Sequence, residues 1–471
     1  MTFGRVDNAL TKVDGVDLMS DTPSNKIVLP DNGLPLHERL ASAVEAAIAE
    51  GRYRPGERLP THRQLAQQFA VSIGSVTRAI DTLSARNVVR GEIGRGTFVL
   101  ERVDGAVDDG GIVDLTINAP PPVIAPQRMA EATELANRHA LALAHGGYVD
   151  LSGTERQRGI VARWLTATRT AMAQEQILLC NGAQQGLHLA FATLRETSEI
   201  ILTESATFPG ALAAAANLAM RMVAVAHDGE GMLPEALEAA LGQTGARIIY
   251  TTPVCQNPLG FETGPERRRA IAQVAKRAGA IIVEDDIYGL YAAKGNLTYR
   301  ELLPEQVIYV TSLSKSLTPL VRLGVIAPPA HLMAAVRKRL RAESWGLPPY
   351  VAELAAAMLD IGMGDEAAVA LRAEGLARLE LTRRMLGVGA VPMPGGAPHL
   401  WLGMSPLKAE QFARRASEAG VRITPPSAAQ VGEAPVAGVR LCIMAPPSRA
   451  VLERGLGVLA GILGSDEDVV V

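Results

Sequence analysis

A lysine ringed by small hydroxyl residues just past an apolar run is placed for carbonyl chemistry. In Thr311-Ser-Leu-Ser-Lys-Ser-Leu-Thr-Pro-Leu-Val-Arg-Leu-Gly324, Lys315 follows Val307-Ile-Tyr-Val310. That β-branched run reads as a buried strand, which sets Lys315 beyond a strand end. An amine held there can form a Schiff base with an aldehyde. Arg322, seven residues on, adds a fixed charge whose forked geometry suits a phosphate. A solvated Ser/Lys loop has the same composition, and the stretch alone would favour that account. Three upstream stretches change the balance. Gly182-Ala-Gln-Gln185 follows Ile177-Leu-Leu-Cys180 and opens an apolar helix; Asn257-Pro-Leu-Gly260 follows Ile248-Ile-Tyr-Thr-Thr252; Glu284-Asp-Asp-Ile-Tyr288 follows Ala280-Ile-Ile-Val283. An open α/β sheet gathers its ligands at such carboxyl ends of strands.

In this order, these stretches resemble fold type I pyridoxal-phosphate (PLP) enzymes of the aminotransferase family, from about Asp114 to the C-terminus. The resemblance implies a large α/β domain and a small α+β C-terminal lobe. It makes Lys315 the Schiff-base lysine and pairs Asp285 with the pyridine nitrogen, which keeps the ring an electron sink. It assigns Tyr288 and Asn257 to the ring's phenolate oxygen. Ser312, Ser314 and Arg322 would hold the phosphate, with Ala183 and Gln184 adding a helix N-terminus. Phe208, in Glu204-Ser-Ala-Thr-Phe-Pro-Gly210, stands where the family stacks an aromatic on the cofactor, although the residues before it depart from the usual Asp-Pro. Tyr148, in Gly147-Tyr-Val-Asp-Leu-Ser-Gly153, corresponds to a loop that reaches the phosphate in a partner subunit; simple packing is an equal account of it. Arg440, in Gly438-Val-Arg-Leu441, is the candidate for a ligand carboxylate, with a structural salt bridge as the alternative. His399 and Trp401 read as packing.

The chain has 471 residues, enough for two or three domains, and 48% are apolar, so a large core can be buried. No apolar run approaches a membrane span, and no basic-then-apolar leader opens the chain. Cys180, Cys255 and Cys442 lack metal-ligand spacing and lie in or beside apolar runs, so buried thiols in a reducing cytoplasm are expected.

Charge is uneven along the chain. The whole carries −3, yet residues 51–100 hold eight Arg, no Lys and three acids, a local +5. A clustered positive patch is the footprint of phosphate binding. Residues 1–34 read as a mobile tail. From Pro35, Leu36, Leu40, Val44 and Ile48 recur at helical spacing; Thr61 and Gln64 form a capping-box pair for a second helix; Ser72 caps a third with Val76, Ile80 and Leu83 on its apolar face. Two short strands around Glu92-Ile-Gly-Arg-Gly-Thr97 complete a winged helix-turn-helix pattern. Residues 35–100 resemble the DNA-binding domain of GntR-type regulators through Pro55-Gly56, Leu59-Pro60, Arg63-Gln-Leu-Ala66, Val76-Thr-Arg-Ala79 and Gly94-Arg-Gly-Thr97. The resemblance places Arg63, Ser75, Thr77, Arg78, Gly94, Arg95, Gly96 and Thr97 at double-stranded operator DNA. Ile73 departs from it: an apolar residue there cannot read guanine but can meet a thymine methyl.

Residues 101–113 are Gly- and Asp-rich and read as a linker, with residues 114–471 as the PLP-binding domain. This order of parts resembles the MocR-like regulators. The implied function is a PLP-dependent transcriptional regulator that senses an amino compound through an external aldimine formed at the expense of Lys315. Such proteins are head-to-tail homodimers. A working aminotransferase carrying a DNA-binding module is the alternative.

Overall fold

The computed structural model describes residues 35–49, 52–53, 56–85, 88–92, 96–99, 111–143, 147–387, 395–433 and 435–465. The expected tail, most of the expected linker, and Gly94 and Arg95 lie outside the described residues. The chain forms two compact units, residues 1–107 and 108–471.

In the first unit, helices α1 (Leu36–Ala49), α2 (His62–Phe69) and α3 (Ile73–Ala85) precede a hairpin of Val89–Glu92 and Gly96–Val99. Their apolar faces meet: Leu40, Val44, Leu65, Phe69, Val76, Ile80, Leu83 and Val99 form one buried cluster. Full burial of each such side chain contributes about 1.5–3 kcal/mol, which holds a small unit together. The Thr61–Gln64 capping box starts α2. Ser72 accepts from the backbone N–H of Ser75 at 3.1 Å and so starts α3.

The second unit is built on a seven-stranded sheet. Its strands are β1 (Leu178–Asn181), β2 (Ile200–Glu204), β3 (Arg221–Val225), β4 (Ile248–Thr251), β5 (Ile281–Asp285), β6 (Val307–Ser312) and β7 (Leu323–Ala327), in the spatial order β1-β7-β6-β5-β4-β2-β3. The helix–strand alternation predicts a parallel sheet, but β7 runs antiparallel to both β6 and β1. The reason is local: the stretch between β6 and β7 carries Lys315 and holds no crossover helix, so the chain turns straight back. Sheet residues are buried on both faces. Ile248 and Tyr250 enter one apolar cluster while Ile249 enters another, as the period-2 geometry of a two-sided sheet requires.

Three helices, Ala330–Ser344, Pro349–Asp360 and Met363–Leu386, lead to the C-terminal lobe. There Leu400–Gly403 pairs with Gly438–Leu441, setting Trp401 opposite Arg440. Val113–Asp114 pairs with Val421–Arg422, so Val113, at the end of the expected linker, is buried strand. Among the described residues no helix is long and apolar enough to cross a membrane. The three cysteines are free and buried.

Candidate functional site

The loops after β1, β4, β5 and β6 converge, and each delivers its residue because the apolar strand before it is locked in the sheet. Asp285 closes β5 and is almost wholly buried. Its Oδ2 accepts from the Tyr250 hydroxyl at 2.9 Å, and its Oδ1 has no partner. Burial is the main force pushing its carboxyl up to about 7; the Tyr250 bond favours the anion and opposes the rise. Tyr250 is itself buried and meets Phe191 edge to face, with ring centroids 5.7 Å apart, which fixes the phenol.

Lys315 is half-buried, and its Nζ donates to the backbone carbonyl of Asn118. Burial, aided by Arg322 and Arg440, brings its amine down to about 8, so a useful fraction is neutral and nucleophilic near neutral pH. The Asn118 side chain donates to the Tyr288 hydroxyl at 2.9 Å and lies 2.7 Å from His399 Nδ1. His399 Nε2 lies 3.0 Å from the Gln256 carbonyl, which must accept, so the proton sits on Nε2 and Nδ1 accepts from Asn118. Burial holds this imidazole neutral, near 3. His399, expected to be packing, is thus a hydrogen-bonded part of the site.

On the same side, Arg440 Nη1 donates to Asn257 Oδ1 at 2.6 Å. Its Nη2 donates to the Thr116 carbonyl and, at 2.8 Å, to the Thr424 hydroxyl. Nε has no partner, and no carboxylate pairs with this 7% exposed guanidinium among the described residues. A buried cation without an acid is costly unless a ligand supplies the charge.

The helix α4 (Gly182–Leu194) opens directly after β1. The Asn181 side chain does not cap it, donating instead to Gln185 at 3.0 Å and Gly346 at 3.5 Å. Its first N–H groups therefore face outward with the positive end of the helix dipole. Arg322, in the left-handed region at φ +43°, lies over this end. A Cβ on Gly182 would fall 2.9 Å from Arg322 Nη2, and one on Gly324 would fall 2.4 Å from the Gly182 carbonyl carbon. Glycine at both positions lets the Arg322 guanidinium and the β7 backbone close onto the start of α4. The Ser314 hydroxyl lies 3.5 Å from Arg322 Nη1, and the Ser312 hydroxyl 3.3 Å from the Ser314 N–H.

Not every candidate joins this centre. Gln184 donates to the Gly210 carbonyl at 2.7 Å, beside the Phe208 ring. Ala183 packs at the junction of two apolar clusters. Tyr148 is 93% exposed and leans on Trp345, with centroids 5.6 Å apart. Asn118 and Tyr250 were not legible as site residues.

In the first unit, Arg63, Thr77 and Arg78 are exposed, as is Ile73 at the start of α3. Thr77 Oγ1 lies 3.1 Å from the Ile73 carbonyl and 3.3 Å from His62 Nδ1. Ser75 Oγ is 3.0 Å from Ser72 Oγ. Gly96 takes φ +118°, with the Arg58 side chain packed where a Cβ would stand; Thr97 is half-buried.

A lysine amine, a carboxyl with one orphaned oxygen, a phenol and an arginine beside a helix N-terminus stand at neighbouring strand ends of the sheet, the set of groups that a fold type I PLP site uses. The residues present fit the cofactor: a ring N–H would satisfy Asp285 Oδ1, and Arg322 with the Ser312 and Ser314 hydroxyls at a helix N-terminus supplies the charge and donors a phosphate needs. Residues 111–459 match aminotransferase class I and II, and residues 36–99 match the gntR family of bacterial regulatory proteins. The chain belongs to the aminotransferase class I and II family, with a GntR domain at its N-terminal end, the make-up of the MocR-like regulators. The cofactor of that make-up is pyridoxal phosphate. Its relatives include the HTH-type transcriptional regulator YdeF of Bacillus subtilis, 24% identical over 91% of this chain and 94% of the relative. TauR of Rhodobacter capsulatus is 27% identical over 83% and 88%. Among solved structures, the α-aminoadipate aminotransferase LysN from Thermus thermophilus, complexed with N-(5'-phosphopyridoxyl)-L-leucine, has the same fold: TM-score 0.68, 24% identity, 76% of this chain and 94% of that one.

Proposed function

We propose that this chain is a PLP-dependent transcriptional regulator that binds operator DNA and whose signal is a small compound with an amino group and an acidic group. The observation that carries the reading is Arg440, a buried guanidinium that pairs with no carboxylate among the described residues, joined through Thr116–Asn118 to Lys315. Bound through Lys315, PLP supplies an electrophilic carbon at which an incoming amine can replace the lysine. Asp285 holds the ring-nitrogen proton, and Tyr288 and Asn257 serve the ring oxygen. Arg322, Ser312 and Ser314 hold the phosphate together with backbone N–H groups at the α4 N-terminus, where Ala183 and Gln184 take part through the main chain because their side chains are engaged elsewhere, with Phe208 against the ring. Arg440 takes the acidic group. DNA affinity changes only as far as the signal binds two conformations unequally.

The acting species in this reading is a head-to-tail homodimer. The exposed Tyr148–Trp345 pair supports it, because large exposed aromatics mark association surfaces. A second reading, turnover as an aminotransferase, is favoured by the lowered Lys315 amine beside Asp285.

The test is a DNA shift on the chain's own upstream region, with and without PLP and a panel of amino acids and simple amines. Single- and multiple-turnover transamination is followed in parallel. Regulation predicts that an amine changing cofactor absorbance also changes the shift without multiple turnover. Full turnover with an unresponsive DNA shift would establish the enzyme instead.

A further inference from the structure

The segment Leu115–Ala119 continues from the strand that begins the described part of the large unit. Its backbone is pinned at the lobe: the Leu115 N–H donates to Arg422 at 2.8 Å, and the Cys442 N–H donates to Leu115 at 3.0 Å. Beyond that pin, two of its carbonyls do unusual work. Thr116 O accepts from Arg440 Nη2, and Asn118 O accepts from Lys315 Nζ. These are the two cations that a compound with an amine and an acid would address. One short segment therefore holds both.

The Asn118 side chain reaches the same centre. It is 6% exposed, donates to the Tyr288 hydroxyl and to His399 Nδ1, and leaves Oδ1 buried without a partner. A flipped amide would turn Oδ1 onto the lone pair of His399 Nδ1, so His399 fixes its orientation. Because the Tyr288 oxygen accepts from Asn118, its own O–H proton is directed elsewhere, and it remains available to the ring oxygen.

We propose that Asn118 is a positioning residue of the ligand site, and that Thr116–Asn118 is a stand-in ligand whose two carbonyl contacts report the site's occupancy. The proposal rests on the PLP reading above. Linkage of Nζ takes the donor from Asn118 O, and release of Nζ by an incoming amine returns it. The acidic group of that compound competes with Thr116 O for Arg440. Each state of the site thus leaves the segment with a different pair of contacts. The segment leads directly back into residues 101–113, the connection to the DNA-binding unit.

Two measurements on the full chain test this, and the proposal needs both. The first is the pH titration of the visible absorbance of the lysine-linked cofactor. Charged or titratable groups near it are Lys315, Asp285, Tyr288, Arg322, His399, Arg440 and Cys442. Without the amide, Tyr288 donates less well to the ring oxygen, so the linked nitrogen keeps its proton to higher pH. Asn118→Ala should move the midpoint up by about one pH unit, a tenfold change. The same substitution in a Tyr288→Phe background should add nothing, an outcome that loose packing alone would not give. An unmoved midpoint, or equal shifts in both backgrounds, overturns the proposal.

The second is hydrogen–deuterium exchange without cofactor. Lys315→Ala should speed exchange in residues 115–119 several-fold while β5 is unchanged; identical exchange in the segment overturns the proposal. Should wild type show no lysine-linked absorbance, the function reading fails and the proposal with it, whereas the exchange result separately reports whether Lys315 holds the segment.

Discussion

Tyr250 donates to one oxygen of Asp285 and leaves the other buried and unpartnered. The carboxyl is thereby aimed: one lone-pair face is spent on the protein and the other is presented to the site. A buried acceptor without a donor costs about 1–3 kcal/mol, which a ring N–H would recover on binding.

The first prediction follows from that burial. Asp285 is raised in the fold from an ordinary 3.8 to about 7. At low pH it is protonated in both folded and unfolded chains and costs nothing. As pH rises past its unfolded value, only the unfolded chain ionises readily, so stability falls, and the full cost is reached above the folded value. The ceiling is roughly 4 kcal/mol. Cofactor-free Asp285→Asn should therefore melt higher than wild type at pH 8, with the gap closing towards pH 4. It should also lose PLP affinity. Melting curves at several pH values check both, and a gap independent of pH would contradict the burial argument.

Arg322 gives a second prediction through its place over the α4 N-terminus. Arg322→Ala should weaken PLP about 10- to 100-fold, since a charge-assisted bond contributes about 1.5–3 kcal/mol. Pyridoxal, which lacks the phosphate, should bind both proteins alike. Equal losses for the two compounds in an absorbance titration would move the phosphate elsewhere.

Much of this site was legible because local signals agree with the fold. Asp285 and Lys315 stand after β-branched runs, and such runs become buried strands wherever both faces are covered. Asn118 was not legible: it sits before Pro120 in an irregular segment, and its partners are 170 and 281 residues away in sequence. Tyr250 reads as an ordinary strand residue, since only the sheet register brings it to Asp285. The reversal of β7 was missed because an antiparallel strand has the same apolar composition as a parallel one when both faces are buried.

Arg440 yields the third prediction. Arg440→Gln should keep the cofactor's colour and the basal DNA shift, yet need roughly 10- to 100-fold more of an acidic amino compound for a response. Simple amines lacking an acid should be unaffected. Superimposable titrations of an acidic amine against cofactor absorbance, wild type and variant, would remove Arg440 from the ligand site.

A fourth concerns the first unit. Arg63 is exposed on α2 and Thr77 is exposed on α3. Arg63→Ala should weaken specific and random DNA alike and lower the salt slope by about one. Thr77→Val should instead change base preference and leave the slope intact. Binding isotherms at several salt concentrations separate the two, and the reverse pattern would exchange the roles.

The central claim is that a DNA-binding chain carries its cofactor on Lys315. Borohydride reduction of the PLP-loaded protein, followed by peptide mapping, tests it most directly. The account predicts one reduced pyridoxyl group per chain, on the peptide containing Lys315, and none in Lys315→Ala. A group mapped to another lysine, or an unlabelled wild type, would contradict it.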